Sequence, residues 1–154
     1  MAEYIPHSRR SGANLAFGKD EEEKQIELLR SKGIKIDVAD KRTDTINKVD
    51  YWIYSTTGKR LGVDAKALSP KWKQYCISCT TDLKLSPDVI YFSFHIDNCI
   101  YFVRAREIES RLNAGQWKTN VSKETKANGQ PLGNLFFYIS PAEVKAIAYK
   151  KVIV

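Results

Sequence analysis

Four side chains of this 154-residue chain carry groups able to act together chemically: Glu22, Asp50, Asp64 and Lys66. Asp64 and Lys66 are two apart on an apolar segment, so in an extended strand they share a face while Ala65 points the other way. Asp50 opens the preceding strand-like segment, across the polar turn Thr56-Thr57-Gly58-Lys59. Gathering two carboxylates and an ammonium at one sheet edge is costly, and such a cluster signals a metal ion or a reaction. Carboxylate oxygens suit a hard cation such as Mg²⁺, which keeps several of its waters. Such an ion lowers the pKa of its water and stabilises developing negative charge. These are the two requirements of phosphodiester hydrolysis. Lys66 would orient or deprotonate the water, or hold the phosphate; crowded carboxylates keep it charged, which favours the first and last of these.

The acid-x-Lys pattern carries little weight alone, because it occurs five times: Glu22-Lys24, Asp64-Lys66, Asp82-Lys84, Glu124-Lys126 and Glu143-Lys145. Only Asp64-Lys66 sits in an apolar strand, among Leu61, Val63, Ala65, Ala67 and Leu68, with an acid-bearing segment across a short turn. The competing reading of that pair is an ordinary surface ion pair, worth little to stability.

The elements that must position these groups follow from periodicity. Residues 19–32 read as a helix with acids at its start, Arg30 and Lys32 at its end and Gly33 as its stop. Ile26 and Leu29 mark its buried stripe, and Glu22 lies on the same face; Glu23 is the other candidate for the helix acid. Strands are expected over 34–38, the hairpin 49–68, 72–80, and a hairpin within 89–103 turning at Asp97-Asn98. A helix over 104–113, a long polar loop over 116–134 and a strand over 135–139 follow. Ser140-Pro141-Ala142-Glu143 then has the form of a capping box with proline in the first turn. Residues 1–17 read as a flexible basic arm carrying Arg9 and Arg10, and residues 18–154 as one mixed α/β domain.

A formal charge of +7 points to a polyanionic partner, nucleic acid before membrane. Lys41, Arg42 and Lys48 before the hairpin, and Lys71, Lys73 and Gln74 after it, would contact a nucleic-acid backbone, and Trp72 would stack on a base or simply pack. No membrane span or signal-peptide core is visible, so a cytoplasmic location is expected. Three cysteines argue against a disulfide framework. Cys76, Cys79, His95 and Cys99 have tolerable zinc spacing. Zinc is nevertheless not expected, since Cys76 and Cys79 face opposite sides of a strand, and His95 and Cys99 opposite sides of a hairpin.

The residues Glu22, Asp50, Asp64 and Lys66, in this order on a helix, a strand and the next strand, resemble the PD-(D/E)XK nucleases. The resemblance covers roughly residues 18–103 and departs at Val49, where that family has proline before the acid. A literal Pro87-Asp88 has no acid-x-Lys at a suitable distance after it. The resemblance implies a restriction-endonuclease-like α/β core, a mixed β-sheet flanked by helices, here with a C-terminal strand-helix extension. It implies Mg²⁺, with Mn²⁺ as a substitute, held by Asp50, Asp64 and the main-chain carbonyl of Ala65, with Glu22 assisting through water. It implies phosphodiester hydrolysis, with DNA as the expected substrate, endonucleolytic cutting, RNA left open, and a homodimer if both strands are cut. The alternative is a basic nucleic-acid-binding domain of the same fold without catalysis; three acids beside a polyanion speak against it.

Overall fold

The computed structural model describes residues 12–40, 48–80, 82–123, 127–130 and 133–154, and of residues 12–17 the backbone alone. Its centre is the strand the sequence marks most strongly, VIYFSFHI, buried on both faces along most of its length. In chain order the elements are α1 (Gly12–Ser31), β1 (Asp37–Val38), β2 (Tyr51–Tyr54), β3 (Arg60–Lys66), β4 (Tyr75–Cys79), β5 (Val89–Ile96) and β6 (Cys99–Arg104). There follow α2 (Ala105–Asn113), β7 (Asn120–Val121), β8 (Leu135–Ile139), α3 (Pro141–Ile147) and β9 (Lys150–Ile153). A six-stranded sheet runs β1-β2-β3-β5-β6-β9, and a three-stranded sheet β4-β8-β7 packs beside it. The large sheet is mixed: β3 and β5 are parallel and its other neighbours antiparallel.

Two apolar clusters hold the layers. On one face α1 lays Ile26 and Leu29 against Tyr51, Val63, Ile100 and Phe102. On the other, Phe92, Phe94 and Val103 meet Tyr75, Ile77 and Phe137 of the small sheet, Ile108 and Leu112 of α2 and Val144 of α3. Burying these side chains is the main favourable term in folding.

The elements differ from the sequence reading in instructive ways. Helix α1 begins at Gly12 rather than at 19 and so takes in residues 12–17 of the expected arm. It stops where expected: Gly33 has φ +80°, Ile34 N–H bonds Leu29 O at 3.2 Å and Gly33 N–H bonds Arg30 O at 2.9 Å, a Schellman cap. The strand expected over 34–38 is reduced to Asp37–Val38. The strand expected from 72 begins at Tyr75, because Lys73 N–H bonds Ser69 O, Ser69 N–H bonds Gln74 O, and Lys73 takes φ +55° in the resulting turn. The loop over 116–134 contains the short β7, and β9, which the sequence reading omits, adds a Lys-rich edge strand. Ser140 forms the full capping box with Glu143.

Candidate active site

The hairpin β2–β3 turns through residues 55–59, where Ser55 N–H bonds Lys59 O at 2.8 Å and Gly58 N–H bonds Ser55 O at 2.9 Å, with Gly58 at φ +84°. Its ladder pairs Tyr51 with Val63 and Trp52 with Gly62, and one step further along this register Asp50 stands opposite Asp64. There the backbone ladder gives way to a side chain. Asp50 N–H still donates to Val63 O at 2.8 Å, but Ala65 N–H donates to the Asp50 carboxylate, Oδ2, at 2.8 Å. Asp50 is thereby tied to the end of β3.

Strand β3 aims its side chains by register with β5. Asp64 pairs with Phe92 and Lys66 with Phe94, while Ala65 pairs with Ser93. Paired residues share a face in a parallel ladder, so Asp64 and Lys66 stand on the side of the small sheet and Ala65 on the α1 side, as alternation requires. A register shift between Gly62 and Val63 precedes them. Gly62 is needed there: a Cβ would lie 2.2 Å from the Asp88 carbonyl oxygen and 2.9 Å from Val49 Cγ2.

Lys66 Nζ lies 3.2 Å from Asp64 Oδ2, with the two side chains 22% and 14% exposed. Burial presses the Lys66 pKa down, but the charges of Asp64 and Asp50 and the hydrogen bond to Asp64 outweigh it, and the net shift is upward. A pair this enclosed is not the ordinary surface ion pair. Lys66 and Asp64 open onto a cavity of about 470 Å³ whose lining also includes Lys48, Ser78, Phe136 and Tyr138.

Glu22 arrives from the opposite side of the sheet. It is 8% exposed on α1, next to Ile26, whereas Glu23 is exposed, so the structure makes Glu22 the inward-facing acid. Lys19 Nζ stands 3.8 Å from it. The Tyr51 phenol senses the three acids at once: burial raises its pKa most, the Ser93 hydrogen bond opposes this, and the charges of Asp50, Asp64 and Glu22 raise it further. Tyr51 therefore stays protonated and donates to Ser93 Oγ at 2.9 Å, and Ser93 in turn donates to Gln25 Oε1. This buried relay, with Gln25 and Ser93 fully enclosed, pins α1 to the centre of the sheet and so fixes where Glu22 sits.

Gln25 and Ser93 escape a reading based on charged residues alone. Their signals are present: Gln25 shares the stripe of Glu22, Ile26 and Leu29, and Ser93 interrupts an otherwise apolar strand.

The remaining sequence candidates distribute unevenly. Lys71, Trp72 and Lys73 are exposed on the turn that follows β3. The Gln74 carbonyl accepts from Ser69 N–H and closes that turn. Lys48, at φ +63°, reaches the cavity. Arg9, Arg10, Lys41 and Arg42 lie outside the described residues. Cys76 is exposed and Cys79 buried on alternate sides of β4, and Cys99 pairs with Ile96 while His95 pairs with Ile100, so these four do not converge. His95 instead places Nδ1 3.9 Å from Glu21 Oε1.

Among the described residues no three His, Cys, Asp or Glu side chains form a metal-holding group, and no helix is long and apolar enough to cross a membrane. No protein-family model, curated protein or solved structure matches the chain.

Proposed function

We propose that this chain is a metal-dependent nuclease of the PD-(D/E)XK type, acting on DNA, with Asp50, Asp64 and Lys66 at its centre. One observation carries the reading: Asp50, immediately before β2, is fastened by Ala65 N–H, and Asp64 on the adjoining strand stands 3.2 Å from a largely buried lysine, with Asp64 and Lys66 lining a cavity. The order of strands around them, an antiparallel β1-β2-β3 meander continued by parallel β5, with α1 across one face, agrees with a restriction-endonuclease-like core.

The donor chemistry fits a hard divalent cation. Mg²⁺ is commonly held by one or two carboxylates and otherwise by water, so Asp50 and Asp64, with the main-chain carbonyl of Ala65 next to Asp64, would suffice without a third carboxylate. When bound, the ion supplies an acidified water and neutralises charge on the phosphate. The protein's own groups do the rest. Asp50 is held in place by the Ala65 amide, which spares its reorganisation as charge builds. Lys66, kept protonated by its two acids, has no lone pair to accept the proton of a water. It donates instead, either to the attacking water or to a non-bridging phosphate oxygen. Glu22, buried on the α1 side of the sheet, would assist only at longer range and through water, as the resemblance to that family implies.

Incubation of the purified protein with supercoiled plasmid and Mg²⁺ or Mn²⁺ tests this. Nicking or linearisation that EDTA abolishes supports the nuclease. DNA binding with no cleavage under any divalent ion replaces it with the non-catalytic binding domain.

A further inference from the structure

The wall of the cavity opposite Asp64 and Lys66 is built for something the fold does not need. In β4, Tyr75, Ile77 and Cys79 point into the core and Cys76 and Ser78 point out. The β4–β8 register sets Tyr138 beside Cys76 and Phe136 beside Ser78, so two aromatic side chains lie on the outward face of the small sheet. Both line the cavity with Asp64 and Lys66, and both remain partly exposed, while Phe137 between them is fully buried. They meet edge to face with centroids 5.7 Å apart. Trp72, 57% exposed, extends the row, its ring centroid 6.3 Å from Tyr138.

The Trp72 ring is presented on a tied backbone, not a loose one. Its N–H donates to Ser69 Oγ at 3.2 Å inside the turn that Lys73 and Gln74 close. Lys71 Nζ stands 4.8 Å from the ring, and both Lys71 and Lys73 are exposed. Partly exposed aromatic rings with cations at one end suit a single strand of nucleic acid: rings take unpaired bases and ammoniums take phosphates. Bases within a duplex are stacked on one another and offer no free face to such a row.

Resting on the nuclease reading, the geometry points to a stacking ledge, Trp72 to Tyr138 to Phe136, that leads an unpaired strand to Asp64 and Lys66; the substrate is single-stranded or locally unpaired nucleic acid. Trp72 is the specificity-determining residue of this ledge and its most accessible ring.

The test is binding of a fluorescent single-stranded DNA and of its duplex in EDTA, for wild type, Trp72→Ala and Trp72→Phe. The ledge requires that Trp72→Ala weaken single-strand binding about ten-fold while leaving duplex binding unchanged, and that Trp72→Phe restore most of it. Stacking must also quench indole emission in wild type and not in Trp72→Ala, which retains Trp52 and Trp117. Equal single-strand affinity in wild type and Trp72→Ala, or an equal loss for both DNAs, overturns the ledge. Cleavage is scored separately with Mg²⁺. A Trp72→Ala protein that cuts DNA yet binds single strands as wild type does sinks the ledge and leaves the nuclease standing. A wild type that cuts nothing but shows Trp72-dependent single-strand binding supports the ledge and sinks the nuclease.

Discussion

Replacing Lys66 by methionine keeps most of the side-chain volume and removes only the charge. In the wild-type protein the ammonium is 3.2 Å from Asp64 and sits in the field of Asp50, with only 22% of its side chain exposed. Removing one member of a fully buried ion pair costs about 3–5 kcal/mol, because the other is left buried and unpaired. Here the residual exposure of both side chains and access from the cavity reduce that to about 1–3 kcal/mol at neutral pH. The sign with pH follows directly. The Lys66 pKa is raised above its ordinary 10.5, so its contribution is in place at neutral pH and is lost only as pH rises through that raised value. In Lys66→Met the Asp64 carboxylate loses its cation, while Asp50 keeps the hydrogen bond from Ala65 N–H. Adding Mg²⁺ should recover more stability in the variant than in wild type, since the ion replaces the missing positive charge. Urea unfolding followed by circular dichroism at neutral pH, with and without Mg²⁺, reads both the loss and its recovery. A variant as stable as wild type at neutral pH and indifferent to Mg²⁺ would mean that Asp64 and Lys66 form an ordinary solvated pair.

Other substitutions probe the supports. Gly62→Ala should destabilise by about 3 kcal/mol or more, since its Cβ meets the Asp88 backbone carbonyl at 2.2 Å; an unchanged urea midpoint would contradict the close approach. Glu22→Gln should lower cleavage or metal affinity about 10–100-fold with the fold intact, as expected of a group acting through water, and the metal dependence of the rate is the readout. At α3, burial favours a raised Glu143 pKa, but hydrogen bonds from the Ser140 backbone, the Trp117 indole and the Ser140 hydroxyl outweigh it and hold it below its ordinary 4.5. Glu143 therefore adds stability above that pH and loses it as pH falls further, so Glu143→Gln should flatten the acid limb of thermal unfolding.

How much of this was legible beforehand depends on the range of the interaction. The β2–β3 hairpin, the shared face of Asp64 and Lys66, the Gly33 stop and the Ser140 cap are local, and local spacing reveals them. The choice between Glu22 and Glu23 is legible in part: spacing puts Glu22 on the stripe of Ile26 and Leu29, and the packing of that stripe against Tyr51 and Val63 turns it inward while Glu23 stays exposed. The pairing of Cys76 with Tyr138 joins segments far apart in sequence, so the small sheet, and the cavity between it and β3, has no local signature. Residues 150–153 escape notice for a different reason. Two lysines followed by short aliphatics read as a tail, and become a strand only because β6 offers an edge. Trp72 sits where the strand pattern begins, but the Ser69 and Lys73 hydrogen bonds close a turn first.

The central claim is that Asp50 and Asp64 hold the ion on which phosphodiester cleavage depends, with Lys66 beside them. The most direct measurement is the rate of supercoiled-plasmid conversion at saturating Mg²⁺ by wild type and Asp64→Ala, prepared identically and matched for folded fraction. The several kcal/mol of transition-state stabilisation such an ion supplies corresponds to a rate loss of about a thousand-fold in the variant. Asp64→Ala protein converting plasmid at the wild-type rate would contradict the assignment of the site.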